Sequence, residues 1–232
     1  FDKMFCHGYI PNEFNVSLIS PIPKGCSQSC DPSDFRPISV STSLSLLFED
    51  IIRQKIFLSI SPNQFGFKPM TSTKHAYFVV NETLQLYRDG GSPCWAASLD
   101  ATKAFDRLWR SGLFYKLIDK IPDVIWRILF LYYKSSKGMI KLGNSISKAF
   151  IIEEGVKQGG IISPLLFNFF INDLLSQCLE LNIGAKVGEL NVCIIAYCDD
   201  LIILSPLKSH LRKLLSVCDE FAAKWKIKFN PS

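Results

Sequence analysis

The chain has 232 residues, room for one domain or two small ones, and at 48% hydrophobic and 20% charged it can bury a sizeable core and is not disordered by composition. Its formal charge of +5 permits a polyanionic partner without requiring one. No apolar run reads as a membrane span: "CIIAYCDDLIIL" carries two carboxylates, and "GGIISPLLFNFFINDLL" is interrupted by Pro and Asn.

The first residue is Phe1, with no secretory signal behind it, so the chain is expected to be a fragment of a longer protein. Eight cysteines are even in number but form no framework; Cys26 and Cys30 lack the second pair or nearby His that would complete a zinc site. Reduced thiols in an intracellular protein, nuclear or cytoplasmic and not secreted, are expected.

In chain order, "SLISPIPKG" (Ser17 to Gly25) predicts a short strand and a turn, and "DPSDFRPISV" a turn followed by extended chain. "SLSLLFEDIIRQKIFLSI" has apolar residues at helical spacing, with Ser41 to Ser45 available as N-caps. "STKHAYFVVNETLQLYRDGG" predicts a second helix stopped by Gly90 and Gly91. "CWAASLD" reads as a buried strand ending at Asp100. "SGLFYKLI" and "PDVIWRILFLYYK" are helices joined at Ile121-Pro122, and "GMIKLG" and "KAFIIEEG" are strands around Gly143-Asn144. Ser163-Pro164 and Ser205-Pro206 each open a predicted helix. "KIKF" alternates as a terminal strand, whose exposed edge is expected to promote aggregation. Short strands mixed with helices and joined by hairpins predict an α+β fold.

The chemistry concentrates in "NVCIIAYCDDLIILSP", where Asp199 and Asp200 separate two apolar runs. A straight strand would send the two side chains to opposite faces. A tight hairpin would carry both to the end of a sheet. Two anions there are compensated by Arg or Lys, by protonation or by divalent cations, and the first basic residue downstream is Lys208. An exposed turn with two solvated aspartates fits the pair alone equally well. "AASLDATKAFDRL" shifts that balance, because Asp100 ends another apolar strand. Three converging carboxylates suit Mg²⁺, which prefers oxygen ligands. Two such ions can activate an attacking hydroxyl and stabilise a leaving oxygen in phosphoryl transfer.

"LISPIPKG…DFRPIS", "NQFGFKPMTST", "LDATKAFDRL", "EEGVKQGGIISPLLFN", "AYCDDLIIL" and "WKIKFNPS", in that order and over almost the full length, resemble reverse transcriptases of non-long-terminal-repeat (non-LTR) retrotransposons. Group II intron maturases share several blocks, but Lys103-Ala104-Phe105-Asp106 favours the retrotransposon branch. The resemblance implies a right-hand polymerase with an antiparallel palm sheet and a catalytic hairpin. Residues 1–92 would form fingers with early palm elements, and 93–232 the palm, with about 138–160 returning toward the fingers. It implies RNA template, DNA primer and dNTPs as partners, and two Mg²⁺ ions, replaceable by Mn²⁺, as cofactors. Asp100, Asp199 and Asp200 would hold the metals, with the Ala101 carbonyl as a further ligand. Lys24 and Arg36 would grip the triphosphate, Phe105 would exclude a ribose 2′-hydroxyl, and Gln158 and Gly159 would line the nucleotide pocket. Gln64, Gly66, Phe67, Lys68 and Tyr197 would lie near template and primer.

Cys198 stands where many relatives have Ala, Gly160 replaces a frequent Asp, and His75 occupies a spot rich in Thr or acid. In the family the Asn-Pro-Ser block is followed by a Lys that protonates pyrophosphate, then by a primer grip and thumb. Here that block ends at Ser232, so the thumb and any endonuclease are expected to lie outside this chain, leaving it weakly active or inactive. The alternative function is a catalytically silent polymerase fold that binds nucleic acid. A nucleotide cyclase palm would need neither the Lys24 to Arg36 segment nor the Gln-Gly block.

Overall fold

The computed structural model describes residues 1–24 and 31–230; Cys26, Cys30 and the terminal Pro231-Ser232 lie outside the described residues. The elements run α1 (Asp2–His7), β1 (Val16–Pro23), β2 (Phe35–Ser41), α2 (Ser43–Lys55), α3 (Thr73–Asp89) and β3 (Trp95–Asp100). There follow α4 (Ala104–Arg107), α5 (Arg110–Leu117), α6 (Asp123–Lys134), β4 (Lys137–Leu142), β5 (Ser145–Ile146) and β6 (Phe150–Ile151). The last are α7 (Ser163–Glu180), β7 (Lys186–Val187), β8 (Leu190–Asn191), β9 (Ile194–Tyr197), β10 (Asp200–Ser205) and α8 (Lys208–Trp225). The chain forms two compact units, each from two stretches: Phe1–Leu58 with Phe105–Ser163, and Ser59–Ala104 with Pro164–Ser232.

In the first unit, β1 and β2 pair antiparallel and β1 also pairs parallel with β4, which carries β5 and β6. Pro21 lies directly opposite Pro37. Neither has an N–H, so this must be a non-hydrogen-bonded pair. The parity then turns the Ser39 N–H, two residues on, away from β1. It donates instead to the Gln158 carbonyl at 2.7 Å, which docks the loop over residues 155–160 on the outer edge of β2. The core lies under α2, α5 and α6, where Phe48, Ile52, Leu113, Leu117, Ile128 and Leu129 are wholly buried. Phe48 sits among the rings of Phe5, Phe14 and Tyr132.

In the second unit, β3, β10 and β9 form an antiparallel sheet in that order. Ile195, Ile202 and Leu204 pack with Ala76, Val79 and Val80 of α3. Leu201 and Ile203, which alternate with them, are buried on the other side. The buried stripe of α8 is Leu214, Cys218, Phe221 and Trp225, spaced four, three and four residues apart, which is one helix face. Its ring Trp225 meets Phe170 of α7 at 5.9 Å.

Several local expectations change. β3 is not buried: Ala96, Ser98 and Asp100 are exposed, because β3 is the outer strand of its sheet. Helix α8 starts at Lys208 rather than at Ser205-Pro206. Ser205 ends β10, and its hydroxyl accepts from the Leu207 N–H at 3.2 Å. "KIKF" is not a regular strand. Lys226 takes a left-handed conformation that closes α8, and only Phe229 forms a bridge, to Ala101. The segment around Gly143-Asn144 does reverse the chain, but its second strand is split into β5 and β6.

Candidate functional site

The two apolar runs around the aspartates are β9 and β10, joined by a two-residue turn of Cys198 and Asp199. Such turns need φ > 0 at one or both central positions, and Cys198 supplies it at +58°. Asp200 is the first residue of β10 and lies directly opposite Asp100, the last residue of β3. Directly opposed residues share a sheet face, and like charges there are destabilising. The third carboxylate, Asp199, stands in the turn beside them.

Among the described residues no Lys or Arg forms an ion pair with these three aspartates. Burial pushes the Asp199 carboxyl above the ordinary carboxylate range. The charges of Asp200 and Asp100 push the same way, while its own backbone N–H and the Cys198 thiol oppose them. Burial also raises Asp200, with the charge of Asp100 adding to it. Burial, together with the neighbouring aspartates, holds the Cys198 thiol protonated. Among the described residues no three His, Cys, Asp or Glu side chains are drawn up around a single metal position. The donors are nevertheless all oxygen and carry uncompensated charge, which fits a hard divalent cation.

The turn is held from behind by Gln64, which is 1% exposed. Its Oε1 accepts from the N–H groups of Cys198 and Gly66, both at 2.8 Å, and its Nε2 donates to the Cys198 carbonyl at 3.3 Å. One carboxamide thus grips both backbone groups of the left-handed residue. Gly66 lies so close to the turn that a Cβ would stand 2.3 Å from the Cys198 nitrogen, which excludes any other residue. Asn168 donates to the Gly66 carbonyl at 2.7 Å. Around them, the Ala196 N–H donates to Asn63 and the Phe65 N–H to Ala196, so residues 63–65 run along the free edge of β9. Phe67 is exposed with φ +53°, Lys68 donates to the Ser61 carbonyl at 3.2 Å, and Tyr197 packs at the margin of the α3 core. The sequence motif marked Gln64 and Gly66 as important but gave no sign that they buttress the aspartates.

On the other edge, the Asn230 N–H donates to the Asp100 carbonyl and its Nδ2 to Asp100 Oδ2, each at 2.8 Å. The Thr102 N–H bonds the Lys228 carbonyl. These two backbone bonds straddle Ala101 and leave its carbonyl outside the bridge. Asn230 is a positioning group that sequence reasoning missed, because its partner lies 130 residues away.

In the first unit, Lys24 and Arg36 are exposed at one end of the β1–β2 hairpin. Arg36 lies opposite Ile22, and the Lys24 N–H bonds the Asp34 carbonyl at 2.8 Å. Gln158 donates through Nε2 to Asp106 Oδ1 at 3.0 Å, and the Val156 N–H donates to the Phe105 carbonyl at 2.7 Å. The half-buried Phe105 and the Gln158–Gly159 loop are therefore joined, and Gly159 is exposed.

An antiparallel sheet that presents a carboxylate hairpin is the arrangement of a nucleic-acid polymerase palm. The sequence profile of the reverse transcriptase (RNA-dependent DNA polymerase) family matches residues 22–232, so the chain belongs to that family. It is 29% identical over 246 residues to the RNA-directed DNA polymerase from mobile element jockey of Drosophila funebris, covering 99% of this chain and 26% of that protein. It is 29% identical to the Retrovirus-related Pol polyprotein from type-2 retrotransposable element R2DM of Drosophila melanogaster, covering 96% of this chain and 21% of that one. These relatives are non-LTR retrotransposon polymerases, and the chain spans about a quarter of their length. Telomerase from Candida tropicalis has the same fold at TM-score 0.63 and 16% identity, over 95% of this chain and 40% of that one.

Two outcomes follow from the hairpin. Gln64→Ala leaves buried N–H groups without acceptors and should destabilise the chain by about 2–4 kcal/mol, read as a lower denaturant midpoint at unchanged slope. The second concerns pH. A carboxyl raised in the folded state contributes stability below its unfolded pKa, and that contribution is lost as pH rises through the folded value. Asp200→Asn should therefore raise the melting temperature at neutral pH and have little effect near about pH 4. Equal shifts at both pH values would show that Asp200 is not under charge strain.

Proposed function

We propose that the chain is the core of an RNA-directed DNA polymerase, transferring nucleotides from dNTPs to a DNA primer on an RNA template. The observation that carries this is the register of Asp100 opposite Asp200 with Asp199 in the adjoining turn. Carboxylates crowded together without a compensating cation weaken the fold, which argues for a role beyond structure, and these three stand at the motif positions that the resemblance assigns to the metal ligands.

Asp100, Asp199 and Asp200, with the Ala101 carbonyl, would hold two Mg²⁺ ions, for which Mn²⁺ is a substitute. The chemistry such ions would supply is a lowered pKa for the attacking 3′-hydroxyl and an offset to the charge on the leaving oxygen. The 3′-hydroxyl gives its proton to solvent, a bond forms between the primer 3′-oxygen and the α-phosphorus, the bond from that phosphorus to the bridging oxygen breaks, and pyrophosphate departs. Lys24 and Arg36 meet the triphosphate, where the planar guanidinium suits paired phosphate oxygens. Gln158 and Gly159 contact the nucleotide, and the Phe105 ring occupies the space a 2′-hydroxyl would need. Phe67, Lys68 and Tyr197 lie along template and primer. In this reading the aspartate-bearing sheet is palm and the Lys24 to Arg36 hairpin is fingers.

The test is primer extension on an RNA template with Mg²⁺, repeated with Mn²⁺. Asp199→Asn should lower extension by about 10² or more, because it removes a metal-borne charge from the transition state. Phe105→Ala should raise ribonucleotide incorporation relative to deoxynucleotide incorporation, and an unchanged ratio would reduce Phe105 to packing. Because this chain is expected to be weakly active or inactive by itself, the assay is run beside a version extended through a thumb; template binding with no extension by either, under either metal, would replace this reading with that of a silent nucleic-acid-binding fold.

A further inference from the structure

Gln158 and Gly159 sit in a three-residue span, Gln158-Gly159-Gly160, between Lys157 and Ile161. Both flanks are fixed by the same buried group. Lys157 is 4% exposed and Glu49, from α2, is 0% exposed. The Lys157 ammonium lies 3.9 Å from Glu49 Oε1. It donates to Tyr132 Oη at 3.0 Å, to Ser41 Oγ at 3.2 Å and to Asn15 Oδ1. Tyr132 in turn donates to Glu49 Oε1 at 2.6 Å. The other carboxylate oxygen, Glu49 Oε2, faces the far side of the span and accepts from the Ile161 N–H at 2.7 Å and the Ile162 N–H at 3.4 Å.

We propose that Glu49 and Lys157 are positioning residues whose buried ion pair brackets the Gln158–Gly160 loop at both ends and sets its fit to the incoming nucleotide. The inference rests on the polymerase reading for what the loop binds, but not for how the loop is held. Burying two charges is costly and seldom adds stability over apolar groups of the same size, so packing alone does not account for the pair. What the pair provides is direction. One oxygen of Glu49 fixes where the loop enters and the other where it leaves, while the Gly160 N–H closes the turn onto the Lys157 carbonyl at 3.1 Å. Gly160 belongs to the same device. A Cβ there would stand 3.0 Å from Glu49 Oε2, so an Asp would press a second carboxylate against the first. Burial pushes the Lys157 ammonium down to about 8, with Glu49 opposing and Arg110 adding to the fall. It therefore remains mainly charged at neutral pH.

The test uses the whole chain with the paired change Glu49→Gln and Lys157→Met, which leaves no unpaired charge and keeps an acceptor for the Ile161 N–H. The paired variant should fold. Lys157→Met alone, which strands the carboxylate, should lower the melting temperature further than the pair does. In the paired variant, amide hydrogen exchange over 158–162 should quicken while exchange in the β9–β10 hairpin stays at the wild-type rate. The KM for dNTP should rise on the order of tenfold, with kcat changed less, as expected when a binding loop is misplaced. Wild-type loop exchange and wild-type KM in the paired variant would overturn the proposal. A version extended through a thumb that still extends no primer would sink the polymerase reading, and the exchange measurement on this chain would still decide whether the pair holds the loop.

Discussion

The constraint on which the second unit depends is electrostatic. Asp100 and Asp200 are set opposite each other on one sheet face, and Asp199 stands at the adjoining turn. Burial and the charges of Asp200 and Asp100 make Asp199 harder to ionise, burial and the charge of Asp100 do the same to Asp200, and no cation of the described residues relieves them. Left to itself, a hairpin with this charge at its tip would splay or slip. A one-residue slip in register would send Asp200 to the opposite face. The apolar runs on either side oppose that slip. Ile195 and Ile202 pack under α3, while Leu201 and Ile203 are buried behind, so either shift exposes a full row of core side chains.

Packing fixes the strands but not the turn, whose backbone would otherwise present bare N–H and C=O groups inside the protein. Gln64 meets that need on one side, and Asn230 holds the Asp100 end on the other. Both are amides rather than charged groups. A Lys or Arg in either place would neutralise the aspartates, and with them the affinity for a divalent cation. Uncharged groups hold the geometry and leave the negative potential intact.

Much of this was legible in the sequence because it is local. The hairpin follows from two apolar runs around Cys-Asp-Asp, the helix stops from Gly90-Gly91, and the strand ending at Asp100 from "WAASLD". The strand assignment was right but its burial was not, because exposure depends on which strand lies outermost, and one strand's composition does not say. The Ser-Pro signal worked at Ser163 and misplaced the next helix. Ser205 was already committed to β10, and tertiary pairing overrode the local cap. "KIKF" alternates like a strand, yet only Phe229 finds an open partner position, at Ala101. The amide supports were not legible at all. Gln64 and Cys198 are 134 residues apart, and no periodicity links them.

The same logic accounts for five of the buried polar residues. Asn15, Glu49 and Lys157 surround one loop, and Gln64 and Asn168 surround one turn. The buried faces of α6 and α8 are built from aliphatic, aromatic and Cys side chains, whereas α2 also buries Ser45 and α5 buries Arg110 and Lys116. Apolar packing is non-directional and tolerates shifts of a fraction of an ångström. Hydrogen bonds to buried charges and amides do not, since a displaced donor loses its partner and gains no water. A fold that needed only to be stable would place few such groups inside. That Asn15, Glu49 and Lys157 bear on one candidate site segment, and Gln64 and Asn168 on the other, indicates that these five serve precision of backbone placement. That is the property a transfer reaction needs from its scaffold, because the reacting atoms must be held within a few tenths of an ångström.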